Sequence, residues 1–241
     1  MNVYIVTGAS KGIGFELAKQ LSKAGHFVVG IARTEIEIDE VKFIQSDLSE
    51  TEKLESLING IIVAAPEDAN SFTLINNAGM VDPIGLIGSV NDAEISNAMA
   101  VNLTAPMILS NAFISKLKHF VGSKRIVNIS SGAGRNAYEG WGTYCATKAG
   151  LDHFSRVVAA EQSNAEHPVE IVSIAPGIID TNMQEKIRES NQDAFPLLER
   201  FIDYKEQGLL SSAVQTAEKL ISFMENQDFK DVGPIVDIRN F

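Results

Sequence analysis

The stretch Val3-Tyr4-Ile5-Val6-Thr7-Gly8-Ala9-Ser10-Lys11-Gly12-Ile13-Gly14-Phe15-Glu16-Leu17-Ala18 runs from a β-branched segment through three glycines into a helical pattern. Gly8, Gly12 and Gly14 permit a tight turn and let backbone N–H groups approach a pyrophosphate; the helix starting there adds the positive end of its dipole. A glycine turn alone is a weak signal. Between a strand and a helix it meets the context that dinucleotide binding requires. No Lys-Ser/Thr pair follows the last glycine, so this is not the phosphate loop of nucleoside triphosphatases. An NAD site places a carboxylate about 20 residues on, at the end of the second strand, for the ribose 2′-OH. Here that strand ends Ile31-Ala32-Arg33, and Glu35 comes too late. Arg33 suits a 2′-phosphate and Lys11 supplies a second positive charge, so the expected cofactor is NADP(H).

Outward from this stretch, short apolar runs alternate with helical patterns. Strands are expected at 3–6, 27–31, 41–45, 71–76, 125–130, 169–174 and 234–237. They are nearly continuous in apolar residues, as in strands covered on both faces. Ser49-x-x-Glu52 and Ser212-x-x-Gln215 have the form of capping boxes that open helices. The expected fold is α/β: a single-domain, doubly wound (Rossmann) sheet of seven parallel strands over 1–241. Two stretches interrupt the alternation. Residues 80–90 are glycine-punctuated loop, and 178–210 form an insert with apolar anchors Ile178, Met183, Phe195, Leu197, Leu198 and Phe201. Both follow strand ends, where open α/β sheets bind ligands, so both are candidate walls or lids of a pocket.

The net charge of −11 argues against a nucleic-acid partner, which would need a basic patch. The single Cys145 cannot form an internal disulfide and fits a reducing compartment. Neither a leader segment nor a run of about 18 apolar residues is evident, so a cytoplasmic chain without a membrane partner is expected.

Tyr144-Cys145-Ala146-Thr147-Lys148 sets a phenol and an amine at i and i+4 on one helical face. Ser130 and Ser131 end a strand, Asn76-Asn77-Ala78-Gly79 ends another, and Asn102 follows a helical stretch. These elements resemble the short-chain dehydrogenase/reductase family. The match runs in order through Thr7-Gly8-x3-Gly12-x-Gly14, Asp47-Leu48, Asn76 to Gly79, Asn102, Ser131, Tyr144-x3-Lys148, Pro176-Gly177 and Thr181. Ser131, 13 residues before Tyr144, is preferred to Ser130 by that spacing. Ser130 to Gly134, Gly140 to Tyr144 and Ala175 to Gln184 are similar to the sepiapterin and benzil reductase-like branch.

The resemblance implies hydride transfer from NADPH to the ketone of a small α-dicarbonyl or aromatic diketone. Tyr144 would be the general acid, its pKa lowered from about 10 by the neighbouring Lys148 charge. Lys148 would also bind the nicotinamide ribose, Ser131 would hold the carbonyl oxygen, and Asn102 a water. Asp47 and Leu48 would contact the adenine, Asn77, Ala78 and Gly79 the adenosine side, and Ile179 and Thr181 the carboxamide. Gly8, Ser10, Lys11, Gly12, Ile13, Gly14, Arg33, Pro176 and Gly177 complete the expected cofactor site. Ser131, Trp141, Tyr144 and Met183 form the expected substrate pocket, and a homodimer packed through the Tyr144 helix and its predecessor is implied.

Structural readings stand beside several of these. Asp47 could cap the next helix, the Asn pair could bond neighbouring strands, and Thr181 could be an N-cap. Trp141 is read as pocket wall rather than core, Cys145 as packing. The four His residues show no metal-ligand spacing, so no metal is expected. Asp237 is a guess for a pterin-holding carboxylate. The competing functions are a 3-oxoacyl-carrier-protein reductase and a non-catalytic NADP(H)-binding sensor.

Overall fold

The apolar runs become strands because each can bury both faces. In the computed structural model, which describes residues 1–241, the order is β1 (Asn2–Thr7), α1 (Gly12–Lys23), β2 (Phe27–Ala32), β3 (Val41–Gln45), α2 (Leu54–Val63), β4 (Ser71–Asn76), α3 (Asp92–Met99) and α4 (Ala105–Lys116). Then follow β5 (Ser123–Ile129), α5 (Gly142–Gln162), β6 (Glu170–Ala175), β7 (Ile179–Asp180), α6 (Asn182–Arg188), α7 (Leu198–Glu206), β8 (Ser211–Ser212), α8 (Ala213–Asn226), α9 (Phe229–Val232) and β9 (Ile235–Asp237). The main sheet is parallel throughout, in the order β3-β2-β1-β4-β5-β6-β9. Alternate residues of β1 feed two cores: Val3 and Ile5 pack towards α2 and α4, Tyr4 and Val6 towards α1 and α8. The strand order reverses between β1 and β4, so their carboxyl ends border the crevice where such sheets take ligands.

Three local outcomes differ from the sequence expectations. Ser49 does not cap a helix. Its N–H (2.9 Å) and Oγ (2.8 Å) both donate to Asp47 Oδ1, and a 3-10 turn, Thr51–Lys53, leads into α2 without a side-chain cap. The Ser49 backbone and side chain turn back onto the carboxylate two residues earlier, a local turn that aims the hydroxyl away from the capping position. The Ser212–Gln215 box does form, at the start of α8. Second, the span Asp92–Lys116 is one 25-residue helix, long and apolar enough by composition to cross a bilayer. It is a core helix instead: Ala105, Leu109, Ala112 and Phe113 are buried against the sheet, and its buried Asn102 and Ser110 have protein partners. Third, the 178–210 insert carries its expected helix, α6, but not the expected cap on it. Its ends are zipped as a small parallel pair, Ile179 to Ser211 and Asp180 to Ser212. Thr181 occupies the N-cap position of α6, but its side chain makes no capping bond.

Candidate active site

The glycine turn lies hard against the end of β4. A Cβ on Gly8 would come within 2.9 Å of Ala78 Cα, and one on Gly14 would collide with Gly8 O and Asn77 Nδ2. Gly8 and Gly12 also hold positive φ, +68° and +59°, which L side chains rarely adopt. Thr7 Oγ1 accepts from the N–H groups of Asn77 and Ala78, both at 3.0 Å, while Asn77 Nδ2 donates to Thr7 O at 3.0 Å. Asn77 thus stitches β4 to the turn, and Asn76 bonds Asn128 of β5 at 2.8 Å. Lys11 sits at the N-cap of α1 without a side-chain cap, so the first-turn N–H groups keep no side-chain partner. Across the turn stands Thr181, whose methyl would lie 3.4 Å from a Cβ on Gly12. An uncapped helix start beside glycines that leave no room for side chains fits a bound pyrophosphate.

Beyond the turn, Arg33 is exposed at the end of β2, its carbonyl accepting from Gln45 Nε2 at 2.8 Å. Asp47 follows β3. The Ser49 N–H holds its carboxyl below the usual range, burial opposes this, and the Ser49 hydroxyl and Arg33 charge assist. Leu48 beside it is buried. On the other side of the crevice, Pro176 and Gly177 leave β6, and the buried Ile179 opens the insert.

The chemical groups meet at the ends of β4 and β5. Ser131 leaves β5 and caps the 3-10 turn Gly132–Gly134, its Oγ accepting from Ala133 N at 3.1 Å. Tyr144 and Lys148, one turn apart on α5, are both buried. Lys148 Nζ donates to Ile129 O at 2.8 Å and lies 5.8 Å from the Tyr144 ring centre. Asn102 sits in a π-helical turn, Ala100–Thr104, that interrupts the helix between α3 and α4. Such turns gather at functional sites because the wider winding re-aims a side chain. The Asn102 amide brackets Met80, accepting from its N–H (2.9 Å) and donating to its carbonyl (2.7 Å), and reaches Thr147 Oγ1 at 3.3 Å. Gly79 faces both: a Cβ there would lie 3.5 Å from Asn102 Oδ1 and 3.6 Å from Lys148 Nζ. Asn102, Ser131, Tyr144 and Lys148 therefore converge.

Burial governs the titration of this pair. It pushes the Tyr144 phenol up to about 12, with the Ser131 hydroxyl opposing. It pushes the Lys148 ammonium down to about 8, with Asp152 opposing. Burial therefore raises the Tyr144 phenol where the Lys148 charge was expected to lower it, and the Lys148 ammonium donates to the Ile129 carbonyl.

The insert roofs the site with aromatic rings. Trp141 stacks on Phe195 (4.7 Å between centres) and meets Tyr144 (5.6 Å) and Phe201 (5.0 Å) edge-on. Ile187 and Leu198 complete this cluster, with Met183 half-buried against it. Trp141, only 5% exposed, is as much the core beneath the lid as a wall, and its buried Nε1 has no protein partner. The 80–90 loop is tied in by Gly85 N to Gly140 O at 2.9 Å and by an Asp82–Lys186 ion pair reaching α6. Asp237 is engaged: Arg239 holds its carboxylate through two bonds, 2.8 and 2.6 Å, and keeps it below the usual range. Two residues of the site carried no recognised motif, Arg135 and Asp152. The one signal for Asp152 is its place four residues after Lys148.

Comparison with known proteins gives the family. The short chain dehydrogenase family model matches residues 2–192. A benzil reductase ((S)-benzoin forming) of Bacillus subtilis (strain 168) is 41% identical, with 100% of both chains covered. A sepiapterin reductase of Rattus norvegicus is 32% identical, covering 98% of this chain and 95% of its own. The crystal structure of the KRED1-Pglu enzyme aligns with a TM-score of 0.83 at 28% identity, over 98% of this chain and 100% of that one. Sequence, fold and site converge: the chain belongs to the short-chain dehydrogenase family, in the branch of the benzil and sepiapterin reductases, and is an oxidoreductase of C=O and CH–OH groups.

Proposed function

We propose that the chain is an NADPH-dependent carbonyl reductase whose substrate is a small α-dicarbonyl or aromatic diketone. The observation that carries this reading is the placing of a buried phenol, Tyr144, edge-on to Trp141, which itself packs on Phe195 and Phe201. An aromatic ring seated beside Tyr144 and Trp141 would gain both area burial and edge or stacking contacts. Benzil, named in the activity of one relative, is an aromatic diketone, and sepiapterin, named in that of another, carries a side-chain ketone.

Bound NADPH supplies the hydride that reduces the carbonyl carbon. Tyr144, protonated up to about pH 12, donates its proton to the oxygen on which negative charge develops. The Ser131 hydroxyl bonds the same oxygen and orients it. Lys148, 5.8 Å from the phenol ring centre, would offset part of the desolvation as the phenolate forms and would bind the nicotinamide ribose. Asn102 holds the water through which Lys148 exchanges protons with solvent. The uncapped start of α1 with Gly8, Ser10, Gly12, Ile13 and Gly14 takes the pyrophosphate. Lys11 and Arg33 take the 2′-phosphate, and Asp47, Leu48, Asn77, Ala78 and Gly79 line the adenosine. Pro176, Gly177, Ile179 and Thr181 would hold the nicotinamide end. A homodimer packed through α4 and α5 covers Met107 and Val157, which are exposed on those helices.

The sign of the pH dependence follows. Reduction needs Tyr144 protonated and Lys148 charged. Tyr144 satisfies this throughout, whereas Lys148 loses its proton as pH rises through about 8. kcat/KM for reduction should therefore be flat below that pH and fall above it, in a profile measured at saturating NADPH.

The functional test is NADPH consumption with a carbonyl panel: benzil, 1-phenyl-1,2-propanedione, and 3-oxoacyl thioesters. Saturable turnover of the diketones is expected. Preference for the thioesters would favour a carrier-protein reductase, and no turnover with tight NADPH binding would leave a sensor.

A further inference from the structure

Lys148 has a buried companion outside the set assigned to the chemistry. Tyr144, Lys148 and Asp152 stand at i, i+4 and i+8 on α5, on one face of the helix. Asp152 is only 4% exposed, and both its oxygens are engaged. Oδ1 accepts from Ser173 Oγ of β6 at 2.7 Å, and Oδ2 accepts from Arg135 Nε at 3.0 Å. Arg135 directly follows the turn that Ser131 caps, and its second nitrogen donates to Val236 O of β9 at 3.0 Å. That turn rests flush on α5: a Cβ on Gly134 would lie 2.8 Å from both the C and O atoms of Lys148. One ion pair thus clamps the Ser131 turn to the helix face that carries Tyr144 and Lys148.

We propose that Arg135 and Asp152 form a positioning pair that sets the Ser131 turn against α5, and that the Asp152 carboxylate held in this way keeps Lys148 cationic in its buried site. A carboxylate this far from water is costly unless paired, and Arg135 pairs it. Asp152 then presents negative charge along the helix to Lys148, opposing the desolvation that favours the neutral amine. The titratable and charged groups around Lys148 are few. Tyr144, Cys145 and Asp152 share its helix, Arg135 approaches from the Ser131 turn, and Asp237 of β9, itself held by Arg239, lies within the field of Arg135. The π-helical turn contributes only the neutral Asn102.

The catalytic consequence rests on the carbonyl-reductase reading, but the charge of Lys148 can be followed without turnover. The lysine side chains of the free enzyme are labelled with carbon-13 and titrated by NMR, with Lys148→Met identifying the signal. Asp152→Asn should move the Lys148 midpoint to lower pH by roughly 0.5–1 unit, and the alkaline limb of kcat/KM should move with it. Arg135→Gln, which leaves the carboxylate without its cation, should move the midpoint the other way. A purely structural pair would lower thermal stability in both variants without displacing the midpoint in opposite directions. An unmoved or raised midpoint in Asp152→Asn overturns the proposal. Should Asp152→Asn not fold, Arg135→Gln decides it alone, with an upward shift supporting the proposal and any other result overturning it. A wild-type enzyme that turns over no carbonyl would overturn the functional reading and leave the NMR result to stand by itself.

Discussion

Tyr144→Phe should lower kcat for diketone reduction by about 10³-fold, the middle of the range for loss of a positioned general acid, and leave the Kd for NADPH within about twofold. The substitution removes one oxygen and little else. The ring is buried and keeps its edge-on contact with Trp141 at the same position. The turn of α5 that follows is held by Thr147 Oγ1 to the Tyr144 carbonyl, a backbone bond that Phe preserves. What disappears is the proton donor, and with it the only phenol beside Lys148 and Ser131. Water is a poor substitute in a site roofed by Phe195 and Phe201. Steady-state turnover and fluorescence titration of NADPH, measured on the same preparation, separate the two effects. Residual activity within tenfold of wild type would remove Tyr144 from the acid role.

Arg33→Asp should raise KM for NADPH by about 10- to 100-fold, the size of one lost charge-assisted bond of roughly 1.5–3 kcal/mol. KM for NADH should stay level or fall, because a carboxylate at the end of the second strand is what an NAD site uses for the ribose 2′-OH. The position tolerates the change: Arg33 is exposed, and its one recorded bond, from Gln45, is to the backbone carbonyl. Nearby Asp47 stays anchored by Ser49 rather than by Arg33, so the adenine side keeps its shape. Paired measurements with both cofactors decide it. Equal effects on NADPH and NADH would refute the 2′-phosphate assignment.

Much of the fold was legible because both sheet faces are covered, which forces long apolar strand runs such as 71–76 and leaves little ambiguity with helices. The glycine turn was legible as a turn, but its second reason was not: Gly8 and Gly14 read as room for a pyrophosphate, and in the structure they also make way for Ala78 and Asn77. Local competition was harder to read. Ser49 and Ser212 carry the same motif spacing, yet only the Ser212 hydroxyl accepts from the backbone N–H three residues on; the Ser49 N–H and side chain are turned back onto Asp47. The π-helical turn at Asn102 has no sequence signature, as it depends on the fit of α3 and α4 against α5 rather than on residue preference. Nor could spacing show that burial would dominate the Tyr144–Lys148 pair. Two groups one turn apart on a helix can be wet or dry, and only the packing of Trp141, Phe195 and Ile187 decides which. Arg135 and Asp152 escaped for a related reason. They are 17 residues apart, and their meeting depends on how the Ser131 turn folds back onto α5.

The central claim is that this crevice transfers a hydride from a nicotinamide to a ketone with Tyr144 as the proton donor. The most direct measurement uses NADPH carrying deuterium on the transferred C4 position, benzil as substrate, and mass spectrometry of the product. The expected result is benzoin with one deuterium on the carbinol carbon, formed by wild type and nearly absent with Tyr144→Phe. Unlabelled benzoin, or deuterated benzoin formed equally fast by both proteins, would contradict it.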